Sequence, residues 1–230
     1  MNTKKTMLTK KRLIGTLKMF PTELQRDLLY DRMPFNGVPP VVMLPETGML
    51  VLDTDENIRK ALDFKYGCLE KAKSISEIFF WITKPNRLQI LEFVINIFQI
   101  NKKDYSEILK SIWVSTEFPH QMPIPKLVSM FRQADTELMM SDEDKTGYNN
   151  LPEVVPVFRG LQDKRSKLKG MSWTTKYETA EWFANRWKQG KLYRAEISKK
   201  HIFMFTNDRN EYECVVNPRH LQNVREMASV

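Results

Sequence analysis

Three short stretches of this 230-residue chain hold side chains whose types and spacing could do chemistry. The first is NEYECVV, residues 210–216, in which Glu211 and Glu213 stand one residue apart at the start of an apolar run. Strand side chains alternate faces, so a strand here would aim both carboxylates to one side, about 7 Å apart by the rise per residue. Like charges that close repel, and neither gains from lying beside Val215 and Val216. Two carboxylates at that separation fall within the range of an inverting pair at a glycosidic bond. The second stretch is Phe158-Arg159-Gly160, with an arginine at the end of the apolar run from Val154. The third is Gly170-Met171-Ser172-Trp173-Thr174, a Ser-x-Thr element after a glycine. Taken singly, each also fits a structural role: a strand-end surface arginine, a turn serine, solvated glutamates on a hairpin edge.

The elements that must position these residues come from periodicity. Val154–Phe158, Lys191–Ile197, His201–Phe205 and Glu213–Val216 read as strands, with Tyr193, Ala195 and Ile197 on one face of the second. Between them lies one helix, with Thr175 and Glu178 spaced as a capping box. Tyr177, Ala180, Phe183, Ala184 and Trp187 form its apolar stripe. Residues 1–150 read mostly helical. Pro21-Thr22 opens a helix, the spacing predicts helices over 57–82 and 87–100, and Leu127, Met130, Phe131, Ala134 and Leu138 predict one from Ile124. Residues 33–56 read as a Pro- and Gly-punctuated connection with a short strand at Met49–Leu52, and 141–150 as a polar turn. The expected fold class is therefore α+β, with a helical region over 1–150 and a small mostly-β core over 151–230.

An arginine ending one strand, a Ser-x-Thr on a second and a Glu-x-Glu on a later one stand in an order that resembles the arginine–serine–glutamate class of mono-ADP-ribosyltransferases. The resemblance covers roughly residues 150–225 and includes the helix carrying AEWFANRW. It implies a split-sheet core that cleaves NAD as substrate, without a metal, and transfers ADP-ribose. On it, Glu213 is the carboxylate that stabilises the oxocarbenium-like cation, and Arg159, beside Gly160, is an anion clamp for the dinucleotide. Ser172 braces the glutamate and the ribose, supported by Thr174 with Trp173 between them. Phe183 takes the place of an aromatic against nicotinamide, and Arg186 reaches a phosphate. Glu211 orients or deprotonates the acceptor. The histidine-first class is disfavoured because Arg159 fills that position, and Glu211 in place of glutamine resembles arginine-modifying members. An NAD glycohydrolase and a non-catalytic nucleic-acid or partner-binding module are the alternatives. The setting implied is a phage or bacterial toxin, effector or defence protein, with an inhibitory partner protein as a further expectation.

Composition narrows the class. The chain is 42% hydrophobic and 28% charged, as ordinary globular proteins are. Cys68 and Cys214 make no disulfide framework, and His120, His201 and His220 no ligand cluster. No apolar run reads as a signal peptide or membrane span, so a cytoplasmic location is expected. The net charge of +8 is uneven: residues 1–20 hold six basic residues and no acids, and residues 159–200 hold twelve basic against four acidic. That distribution predicts a polyanionic acceptor, RNA or an RNA-bound protein, unless the lysines merely solvate a face.

Overall fold

The computed structural model describes residues 5–30, 40–46, 48–116, 122–161, 168–186 and 190–227. The chain divides into two compact units, Met1–Pro119 and His120–Val230, so the change of texture near residue 150 falls inside the second. The architecture is α+β, with a six-stranded antiparallel sheet in the second unit.

The first unit is mainly helical. It runs through β1 (Thr6–Met7), α1 (Lys10–Lys18), α2 (Thr22–Leu29), β2 (Val41–Leu44), β3 (Gly48–Val51), α3 (Asp55–Lys71), α4 (Ile75–Trp81), α5 (Arg87–Ile97), β4 (Phe98–Gln99) and α6 (Lys102–Ser115). Thr9, Thr54, Ser74 and Asn101 each accept a first-turn backbone N–H and so fix where α1, α3, α4 and α6 begin. The Ser74 cap and the extended backbone of Ala72 split the helical pattern over 57–82 into two helices. Leu13, Leu17, Leu69, Ile78, Leu91 and Leu109 fill the core.

The basic N-terminal stretch has partners within this unit. Lys5 Nζ donates to the Ile95 carbonyl at 2.7 Å and Lys10 Nζ to the Ala72 carbonyl. Those carbonyls close α5 and α3, where unpaired acceptors and the negative helix end favour a cation. Arg12 donates to the Met7 carbonyl, and Lys18 pairs with Glu70 at 3.1 Å. Lys4 lies outside the described residues.

The second unit opens with α7 (Ile124–Gln133), α8 (Thr136–Met139) and α9 (Asp142–Asn149). Two expectations are corrected here. The stripe from Leu127 to Leu138 is broken at Ala134, which is extended, and Leu138 lies 40% exposed on α8. The run 142–149 is a helix and not a turn, because Ser141 and Asp144 form a reciprocal capping box ahead of three first-turn acids.

The sheet follows: β5 (Val154–Leu161), β6 (Ser172–Thr174), α10 (Tyr177–Asn185), β7 (Lys191–Ser198), β8 (Ile202–Thr206), β9 (Glu213–Val216) and β10 (Gln222–Met227), in spatial order β10-β7-β5-β6-β9-β8. The strands β10, β7 and β5 form one half and β6, β9 and β8 the other. A single registered pair, Phe158 opposite Thr174, joins β5 to β6. The sheet is thus continuous, and this narrow junction is where its halves meet. The strand β10 was not anticipated because its residues are polar and mostly exposed.

Three contacts tie the preceding helices to β8 and its flanks. Phe131 stacks on Phe203 at 5.8 Å, Tyr148 Oη donates to the Lys199 carbonyl, and Asp144 Oδ1 accepts the Asn207 N–H at 2.9 Å. The helix α10 crosses β5 at very short range: a Cβ on Gly160 would lie 2.1 Å from the Ala180 carbonyl oxygen. Only a glycine permits that approach.

Candidate active site

The ladder places one row of side chains across four strands. Phe158 on β5 faces Thr174 on β6, Thr174 faces Glu213 on β9, and Glu213 faces Thr206 on β8. Paired residues of an antiparallel ladder project to the same side, about 5 Å apart. Glu213 is therefore flanked by two threonines, both buried. Ser172 lies two residues before Thr174 and so shares its face. The apolar neighbour of the row is Phe158, which meets Tyr177 of α10 edge-on at 5.9 Å.

Arg159 stands one residue beyond Phe158, at the junction of the two half-sheets. Its Nη1 donates to the Ser172 carbonyl, and its Nε is buried without a hydrogen-bond partner. Burial pulls its pKa down to about 10, against which the Glu213 carboxylate acts to raise it. The group stays cationic at neutral pH, with a donor that nothing satisfies. An unpaired buried donor is costly, and an anion would relieve that cost.

The two glutamates do not share a strand. The strand β9 starts at Glu213, and the chain before it turns through a 3-10 segment, Asp208–Asn210, that ends at Glu211. Arg209, Asn210 and Tyr212 all adopt positive φ, at 62°, 59° and 47°. Tyr212 thus interrupts the alternation, and the same-face expectation for Glu211 and Glu213 is corrected. For arginine and tyrosine such backbone costs on the order of 1–3 kcal/mol each, and it persists only where neighbours impose it. Two bonds do so: Thr174 Oγ1 donates to the Glu211 carbonyl at 2.7 Å, and the Thr175 N–H donates to the Tyr212 carbonyl at 3.1 Å. Half-buried Glu211 has its pKa raised, first by burial and then by Asp208, with Arg209 opposing.

Thr174 also corrects the expected capping box. Its hydroxyl accepts the Lys176 N–H at 3.0 Å, and α10 begins after Lys176 with no side-chain cap. The residue flanking the helix is Lys176 and not Thr175, whose own N–H donates to the Tyr212 carbonyl. Trp173 is corrected as well. It projects from β6 opposite to Ser172 and Thr174, is 2% exposed, and donates Nε1–H to the Gly170 carbonyl at 3.0 Å. It belongs to the core and offers no face to a dinucleotide.

On α10, Ala180 and Ala184 face the sheet while Phe183 is half-buried, edge-on to Trp182 at 5.0 Å. Trp187 lies outside the described residues. Arg186 caps the helix and lies over the Trp182 ring at 5.2 Å. Glu178, Glu181, Trp182, Asn185 and Arg186 line a shallow cleft of about 420 Å³. Five of the expected residues, Arg159, Gly160, Ser172, Thr174 and Glu213, therefore stand on three adjacent strands, and Glu211 is tied to them through Thr174. Thr206 and Tyr177 are members that sequence reasoning missed. The place of Thr206 beside Glu213 is set by the β8–β9 register, which no local pattern in the sequence announces.

No group of three or more metal-ligating side chains forms among the described residues, and no helix among them is long and apolar enough to cross a membrane. No family model, curated protein or solved structure matches the chain.

Proposed function

We propose that this protein is a mono-ADP-ribosyltransferase of the arginine–serine–glutamate type, which cleaves NAD and transfers ADP-ribose to a macromolecular acceptor, RNA or a protein side chain. The observation that carries the reading is that Arg159, Ser172 and Glu213 stand on the adjacent strands β5, β6 and β9, with Arg159 Nη1 donating to the Ser172 carbonyl where the half-sheets meet. A toxin, effector or defence role would suit such an activity.

In this mechanism the unsatisfied Nε of Arg159 meets a phosphate oxygen of NAD. The bond from nicotinamide to the ribose carbon breaks, and its electron pair leaves with neutral nicotinamide. Glu213 stabilises the positive charge left on the ribose, and the acceptor heteroatom then attacks that carbon. The acceptor proton passes to Glu211, whose raised pKa makes it a better base than an ordinary surface carboxylate.

Incubation with NAD labelled in its adenosine half, in the presence of a cell lysate, tests this. Nicotinamide release with label carried into protease- or RNase-sensitive material is the expected result. Nicotinamide release with free ADP-ribose as the only labelled product would make the protein a glycohydrolase, and no release at all would remove the assignment.

A further inference from the structure

The placement of Arg159 depends on a residue that has no side chain. A Cβ on Gly170 would stand 2.5 Å from Nη2, 2.7 Å from Cζ and 3.1 Å from Nη1 of Arg159. The guanidinium thus occupies the space a side chain at 170 would fill. The overlap is with the far end of a flexible side chain only. At Gly160 and Gly190 the added Cβ would instead strike helix backbone, at 2.1 Å from the Ala180 carbonyl oxygen and 1.9 Å from the Ala184 carbonyl oxygen.

The backbone under the guanidinium is fixed at three successive carbonyls. Gly170 accepts from Trp173 Nε1 at 3.0 Å, Met171 from the Val216 N–H at 2.8 Å, and Ser172 from Arg159 Nη1. Three different elements hold three consecutive peptide units, so the seat is rigid. The indole bond is the one that reaches Gly170 itself. Arg159 Nε remains buried and unpartnered above this seat.

We propose that Gly170 and Trp173 are positioning residues for Arg159: the missing Cβ opens the seat, and the indole bond holds its floor, so that the guanidinium is preset to receive an anion. The consequence for NAD rests on the function proposed above, whereas the seating of the guanidinium does not.

The experiment compares the full-length protein with Gly170→Ala, Trp173→Phe and Arg159→Lys. Three quantities are read: the thermal melt, the NMR resonance of the Arg159 Nε–H (assigned by its absence in Arg159→Lys), and kcat and KM for NAD. Gly170→Ala is expected to melt close to wild type, because only a flexible head must move. Its Arg159 resonance should shift or exchange away, and KM should rise about tenfold to a hundredfold with a smaller change in kcat, the size of one misplaced charge-assisted hydrogen bond to the substrate anion. Trp173→Phe should move both readouts the same way by less, and it decides the matter if the alanine variant fails to fold. A folded Gly170→Ala protein with the Arg159 resonance unmoved, or with the resonance moved and KM unchanged, overturns the proposal. A wild-type protein that neither binds nor cleaves NAD defeats the proposed function alone. In that case the Arg159 resonance in Gly170→Ala still decides whether Gly170 seats the guanidinium.

Discussion

The Thr174 hydroxyl donates to the Glu211 carbonyl across 2.7 Å, while Thr174 itself stands opposite Glu213 in the β6–β9 ladder. One residue therefore ties the two glutamates together. It fixes the first through its backbone and neighbours the second on the same face of the sheet. That arrangement separates their chemistry, because Glu213 sits on a rigid strand and Glu211 on a strained turn held at its end.

Glu213→Gln removes the charge and keeps the shape. Nicotinamide release should fall by ~10²–10³, the usual loss for one preorganised electrostatic group. The variant should keep its fold. A folded Glu213→Gln protein with near wild-type release would show that this carboxylate does not serve bond cleavage.

Glu211→Gln should split the two half-reactions, since its role is with the acceptor. Transfer should drop much further than the slow hydrolysis of NAD by water. The pH profile adds a second readout. Glu211 acts as a base, and its pKa is raised above the ordinary carboxylate value, so transfer should decline with falling pH before a normal carboxylate would protonate. Equal losses of transfer and hydrolysis in Glu211→Gln would move this residue into the NAD site.

Gly160→Ala should behave unlike Gly170→Ala. Its Cβ meets the backbone of α10, which cannot yield as a side chain can, and overpacking of this kind costs about 1–3 kcal/mol or more. A lowered melting temperature is expected, with loss of activity following loss of fold. An unchanged melt would mean that α10 does not lie as close to β5 as described.

The His201 and His220 rings stack in parallel with centroids 3.6 Å apart, near the end of β9 opposite to Glu213. The pKa of His201 is lowered, first by burial and then by His220 and Lys200. The folded state thus prefers the neutral ring. The stability this confers is full above the ordinary imidazole value of 6.5 and is lost as pH falls through it towards the lower folded value. Melting temperature should decline between about pH 7 and pH 5.5, near the imidazole range, and His220→Gln should flatten that decline. Equal slopes in the two proteins would rule out the pair as its source.

Label transfer to total RNA and total protein, compared at ~50 and ~200 mM salt, tests the polyanionic acceptor. Transfer to RNA should fall steeply with salt. The slope should be the same in Lys10→Ala, because that ammonium closes α3 through the Ala72 carbonyl. A change would show instead as a lower melt. Label on protein alone, with little salt dependence, would retire the nucleic-acid version.

The two kinds of knowledge divide along the range of the interactions. The strand Glu213–Val216, the helix opening at Thr22 and the buried alanines of α10 were legible because apolar periodicity over a few residues decides them. The helix α6 carries the same kind of signal, its buried Tyr105, Ile108, Leu109 and Ile112 standing at i, i+3, i+4 and i+7. The start of α10 departs from the expected capping box because the helix begins at Tyr177, flanked by Lys176, which supplies no side-chain cap.

By itself the sequence determined which residue types were present for chemistry and their order along the chain: Arg159, then Ser172 and Thr174, then Glu211 and Glu213. Only the tertiary structure decided their neighbours. That β6 lies between β5 and β9, that Glu211 leaves the strand, and that the N-terminal lysines close helices all depend on pairings between segments tens of residues apart. Hydrogen-bond and charge partners across such distances leave no period in the sequence, because the same local pattern is compatible with many registers until the sheet and the helix ends choose one.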